Sequence, residues 1–127
     1  MPFDNPVPVE VTPVTILDNM LQRLATPDKW CQRSLVEFNI LGEPVSSCIL
    51  GAIQLAECGK GDRKNQGLAT GLFRQIQSPA AKEVYLRLHR AIGDVVGFND
   101  NPKTTHADVM HLLSRTRDSF AGGSDAV

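Results

Sequence analysis

Three side chains in this sequence have the right types for covalent catalysis: Cys48, His106 and Asp100. Apolar spacing places Cys48 at or near the first residue of a helix, where the macrodipole lowers a thiol pKa and favours the nucleophilic thiolate. With His106 as base and Asp100 or Asp108 orienting the ring, the parts of a small cysteine-dependent hydrolase or transferase are present. No local signature ties them together, and free cysteine is among the most buried residue types, so a packed core thiol is the competing reading. The segment from Phe98 to His106 holds the densest polar chemistry in the chain. Asn99, Asp100, Thr105 and His106, with free amides at a helix start, would suit a small-ligand or anion sensor. The same residues also suit Asx turns and a helix cap.

Other constellations are weaker. His106 and His111 lie five residues apart and so point about 140° from one another around a helix, which leaves Asp108 and His111 as too few ligands for a metal. No metal site or cofactor is expected. Gly59-Lys60-Gly61 lacks the upstream glycine, the following Ser or Thr and the preceding strand of a phosphate loop. Lys60, Arg63, Lys64 and Arg74 make a modest basic patch of the kind a solvated loop usually carries. Trp30, the single tryptophan, reads as a core anchor rather than a partner-binding hot spot, although either use buries its ring.

Helices must position these groups. Pro2 to Val11 is proline-rich and reads as an extended arm. Thr12 caps a first helix with Pro13 at its first position and Val11 stapling onto Ile16. That helix runs to about Ala25, with Ile16, Leu17, Met20, Leu21 and Leu24 on one stripe and Pro27 as its stop. From Trp30 to Ser47 the helical period disappears, and Gly42-Glu43-Pro44 predicts the turn of a short hairpin or ribbon. Ser46 or Ser47 caps a second helix burying Ile49, Ala52, Ile53 and Ala56, with Gly51 admitting a neighbouring backbone and Gly59 closing the element. Lys60 to Gly67 reads as a surface loop, followed by a weak helix through Leu68, Leu72, Phe73 and Ile76. Ser78-Pro79 opens a long helix carrying Val84, Tyr85, Leu88, Ile92, Val95 and Val96, which Gly97 ends with Phe98 folding back on Ile92. Thr105 and Asp108 form a capping box for the last helix, whose inner side is Val109, Leu112, Leu113, Thr116 and Phe120. Residues 121–127 read as a flexible tail.

The totals bound the function classes. The 127 residues suit one domain, 12–120, with one core. Hydrophobic residues at 42% and charged residues at 21% describe a chain that folds. Thirteen Lys and Arg against fourteen Asp and Glu give no net field for nucleic acid. No apolar run is long enough for a membrane helix, the start of the sequence has no export signal, and three cysteines without CxxC spacing suit reduced thiols in a cytoplasmic protein.

Trp30, Cys48-Ile49-Leu50-Gly51-Ala52-Ile53 with Ala56, Phe98-Asn99-Asp100, Pro102, Thr105, Asp108-Val109 and Leu112-Leu113 together carry a resemblance. From Thr12 to Phe120 the chain resembles an uncharacterised family of small bacterial and phage proteins, a domain of unknown function. The resemblance implies a fold and no activity, and it ties the Cys48 helix to the Asn99-Asp100 segment as one shared pattern, either a joint pocket or shared capping. The expected architecture is mainly α: a compact bundle of four or five helices with a small β-hairpin or ribbon between the first two. The leading functional expectation is a non-enzymatic protein-interaction module, an accessory or inhibitor protein of a mobile element. Its partner would be another protein, and Phe3 on the arm hints at a homodimer. The thiol enzyme and the anion sensor are the alternatives.

Overall fold

A computed structural model describes residues 11–58 and 78–121. Expectations for the arm with Phe3, for Gly59 and the basic loop and weak helix after it, and for the tail beyond Ala121 lie outside the described residues. Within them the fold is the anticipated one: five helices with a two-stranded antiparallel hairpin between the first two.

Helix α1, Pro13–Arg23, begins where the proline predicts. Thr12 and Thr15 cap it reciprocally, with the Thr15 amide donating to Thr12 Oγ1 at 3.2 Å and the Thr12 amide donating to Thr15 Oγ1 at 2.9 Å. Val11 remains 51% exposed, so the cap rests on the two hydroxyls. Pro27 does more than stop the helix, because it opens a single 3₁₀ turn, Pro27–Lys29, that carries the chain to Trp30.

The hairpin consists of β1, Val36–Phe38, and β2, Pro44–Ser47, with Val36 opposite Ser47 and a bulge between Glu37 and Phe38. Gly42 takes the left-handed φ of 79° that its turn requires. Ser46 and Ser47 therefore belong to a strand, and Cys48 takes the helix cap expected of a serine. In α2, Ile49–Cys58, the Ala52 amide bonds the Cys48 carbonyl at 2.9 Å and the Gly51 amide donates to Cys48 Sγ at 3.3 Å.

Helix α2 is the centre of the molecule. Ile49, Leu50, Ala52 and Ile53 join the main core with Ile16, Leu17, Met20 and Leu24 of α1, while Leu55 turns the other way onto Val36 of the hairpin. A helix walled on both sides must be apolar nearly all round, which is why it shows no single wet face. Gly51 sits where the hairpin backbone crosses, and a Cβ there would lie 2.0 Å from the Leu35 carbonyl oxygen.

Helix α3, Pro79–Ile92, opens with Ser78 Oγ accepting from the Ala81 amide at 3.1 Å. Its end departs from expectation. Gly93, at φ 80°, stops the helix, and Asp94 caps a further short helix α4, Val95–Asp100, by accepting from the Gly97 amide at 3.0 Å. Gly97 is thus inside α4, Val96 faces solvent, and the Phe98-Asn99-Asp100 segment is helical rather than loop. The break is marked in the sequence by the Gly93-Asp94 doublet, a glycine at positive φ followed at once by a cap. Helix α5, His106–Ala121, starts on the anticipated box: the Asp108 amide donates to Thr105 Oγ1 at 3.1 Å and the Thr105 amide to Asp108 Oδ2 at 2.9 Å. It lies against α1 through Val109 and Leu113, and Arg117 Nε donates to Asp18 Oδ1 at 2.6 Å across the same pair of helices.

Candidate functional site

The bulge-bearing hairpin and α4 converge on the start of α2, and one side chain joins them. Asn99 is 1% exposed and uses its whole hydrogen-bonding capacity. Its Oδ1 accepts from Trp30 Nε1 at 2.8 Å and from the Ile49 amide at 3.0 Å, while its Nδ2 donates to the Cys31 carbonyl at 3.1 Å and to Asp100 Oδ1 at 2.9 Å. Trp30 Nε1 and the Ile49 amide can only donate and the Cys31 carbonyl can only accept, so this network allows one orientation of the amide. The Ile49 amide is one of the orphan donors of the α2 N-terminus, satisfied by a side chain fifty positions away.

Neighbouring residues extend the junction. Gln32 Nε2 donates to the carbonyls of Asn99 and Asn101 at 3.0 and 2.9 Å. Asp100 Oδ1 also accepts the Arg33 amide at 2.8 Å, which holds Arg33 in a left-handed conformation, φ 68°, that a non-glycine residue adopts at a cost of roughly 1–2 kcal/mol. Cys31 bonds the Ser47 carbonyl through its amide at 3.0 Å. Sequence reasoning missed Gln32 and Arg33, whose composition and spacing carry no signal of a partner in α4.

The Cys48 helix and the Asn99 segment meet in a capping junction. Cys48 is 8% exposed, and burial above all pushes its thiol up to about 11, with Cys31 and Asp100 adding to the rise. At neutral pH the sulfur is a thiol that accepts a backbone amide rather than a thiolate. Burial likewise raises the Cys31 thiol. Cys48 also lines a cleft of about 180 Å³ together with Arg33, Leu35, Val96 and Asp100.

The chain belongs to a family of unknown function (DUF6197). The family pattern matches residues 8–119 and so takes in Trp30, Cys48, Asn99 and Thr105 together. Comparison with curated proteins and with solved structures gives no match.

In this DUF6197 chain His106 stands apart from the thiol. Its Nε2 lies 2.6 Å from the Leu24 carbonyl oxygen, which only accepts, so Nε2 carries the proton. The ring thereby satisfies an orphan carbonyl at the C-terminus of α1 and packs 6.4 Å from the Trp30 ring, centroid to centroid. Among the described residues no hydrogen bond joins His106 to Cys48 or Asp100. Trp30 is half-buried against the core, with one end bonded to Asn99 and its ring beside His106. Three of the amides at these helix starts are occupied by side chains: Ile49 by Asn99, Gly51 by Cys48, and Asp108 by Thr105. No group of three metal-ligating side chains occurs among the described residues, and no described helix is long and apolar enough to cross a membrane.

The outer surface is different in kind. The turn from Asn39 to Glu43 presents Ile40 at 98% and Leu41 at 64% exposure, with Val45 at 48% on β2. Asn39 braces this turn. Its Oδ1 accepts from the amides of Leu41 and Glu43 at 2.9 and 3.0 Å, its Nδ2 donates to Glu43 Oε1 at 3.0 Å, and its own amide bonds the Glu43 carbonyl at 2.9 Å.

Proposed function

We propose that this chain is a small non-enzymatic protein-interaction module that uses the hairpin turn as its contact element, as an accessory or inhibitor protein of a mobile element would. The observation that carries this reading is Ile40, a large apolar side chain 98% exposed on a turn held by the Asn39 hydrogen bonds. Leu41 and Val45 extend the exposed apolar surface beside it. Such a turn is ordered before it binds, so association loses little loop entropy. The inward commitments of Cys48, His106 and Asn99 support the same reading, since each is already engaged in capping or packing.

The test is a photo-crosslinking amino acid at position 40, with position 118 as an exposed control, in the cells from which the protein comes. A discrete adduct from position 40, absent from position 118 and abolished by Leu41→Lys, is the expected result. The adduct mass distinguishes a second copy of the chain from a different protein. Equal or absent labelling at the two positions overturns the proposal.

A further inference from the structure

A second surface lies between α3, α4 and α5 and shares no lining residue with the hairpin turn. There α3 and α5 leave an open cleft of about 460 Å³. Its floor is apolar, made by Ile92, Phe98 and Leu112, all partly buried against the core. Its rim is basic. Arg87 of α3 and Arg115 of α5 flank the floor with His111, and Asp108 is the single acid. That acid is occupied in capping, where its Oδ2 accepts the Thr105 amide at 2.9 Å.

The two arginines are unequal in a way that bears on binding. Arg87 is fixed: its guanidinium carbon lies 3.9 Å from the centroid of the Phe120 ring and its Nη1 donates to Ser119 Oγ at 2.7 Å. These contacts hold the group without neutralising it, and among the described residues Arg87 has no carboxylate partner. Arg115 has neither a hydrogen bond nor an ion pair among the described residues. By contrast Arg117, two positions on, is paired with Asp18. A pre-placed guanidinium with uncompensated charge, beside a second free one and above an apolar floor, is complementary to a ligand that is both acidic and apolar.

We infer that this cleft docks an amphipathic helical segment of a partner protein, with Leu, Ile or Phe side chains at i and i+3 or i+4 on the floor and Asp or Glu reaching Arg87 and Arg115. A peptide fits better than a small molecule because the cleft is open rather than enclosed. The lining positions of α5 recur every three or four residues from Asp108 to Ser119, a stretch of about 16 Å at 1.5 Å per residue. Small-molecule sites instead enclose most of their ligand, whereas a groove between two helices is the ordinary seat of an amphipathic helix. This surface is separate from the hairpin turn and does not depend on it.

The experiment is selection of a random twelve-residue peptide display library on the full-length chain, followed by fluorescence anisotropy with the enriched peptides. Enriched sequences are expected to combine Asp or Glu with Leu, Ile or Phe at helical spacing and to bind more weakly as salt rises. Arg115→Glu should weaken binding by about tenfold or more, Arg115→Lys should retain most of it, and Ile40→Lys should leave it unchanged. Thermal melts verify that the Arg115 variants fold as the wild type does. Arg115→Gln serves as the second variant should the charge reversal lower the melt. Absence of enriched peptides, enrichment of neutral or basic ones, or binding indifferent to both Arg115→Glu and Arg115→Gln overturns the inference. Loss of binding in Ile40→Lys with Arg115→Glu silent would assign the peptides to the hairpin turn, and so would sink this inference while leaving the turn's proposed role standing.

Discussion

Asn99 does the work of a cap, a strap and a ring anchor at once, and its replacement has a calculable effect. Asn99→Ala leaves Trp30 Nε1, the Ile49 amide and the Cys31 carbonyl without their partner. At about 1–3 kcal/mol for each orphaned buried group, partly relieved by water at Trp30, the variant should lose about 3–5 kcal/mol in urea denaturation. A loss below about 1 kcal/mol would show that the junction does not hold the fold. Cys48 supplies a pH signature. Its folded-state value of about 11 lies above the ordinary 9.0, so the native state binds the proton more tightly than the unfolded chain. The resulting stabilisation is complete below about pH 9 and is lost as pH rises toward about 11, amounting to about 2–3 kcal/mol at most. Urea midpoints of wild type and Cys48→Ala across that window should converge as pH increases, and iodoacetamide should label native Cys48 only slowly at neutral pH. Parallel pH curves, or fast native labelling, would contradict the buried thiol.

Two glycines separate close approach from backbone conformation at the scale of elements. Gly51 lets the hairpin cross α2, and because an added methyl would stand 2.0 Å from the Leu35 carbonyl oxygen, backbone itself must move. Gly51→Ala should therefore cost about 3 kcal/mol or more and disturb the Leu55–Val36 packing behind the crossing. Gly93 has nothing within 4 Å of its would-be Cβ, and only its φ of 80° resists substitution. Gly93→Ala should cost about 1–3 kcal/mol, because φ 80° with ψ −109° lies outside the wells open to a residue with a Cβ, with the fold intact by circular dichroism. Equal effects of the two substitutions would refute this distinction. The helix starts at Thr12, Ser78 and Thr105 were legible because a cap is a local matter of a hydroxyl, a proline or an acid within three residues. The start of α2 was misplaced by a residue or two because its cap is a thiol and its second donor is satisfied from α4. The break between α3 and α4 was hidden by an apolar stripe that runs on through Val95 and Val96, although only Val95 is buried.

Across the whole molecule, the residues that hold the fold are distinct from those of the proposed contact turn. Ile53, fully buried in α2, should lose about 2–5 kcal/mol on Ile53→Ala. Ile40→Lys combined with Leu41→Lys, at positions 98% and 64% exposed, should change stability by no more than about 0.5 kcal/mol while removing the crosslink from the turn. A pronounced loss of stability there would mean the turn is part of the fold and not a contact element. The sequence by itself determined the helical class, the stripes of α1 and α5, the hairpin between the first two helices and the close approach at Gly51, since periodicity and caps are read over a few neighbouring residues. Only the tertiary structure decided that Asn99 caps α2, that His106 bonds the end of α1, that Cys48 is buried as a neutral thiol, and that Arg87 and Arg115 share a cleft. Those outcomes depend on which backbone groups are left unpaired when distant elements meet, and hydrogen-bond saturation and burial are properties of the packed molecule that no local spacing encodes.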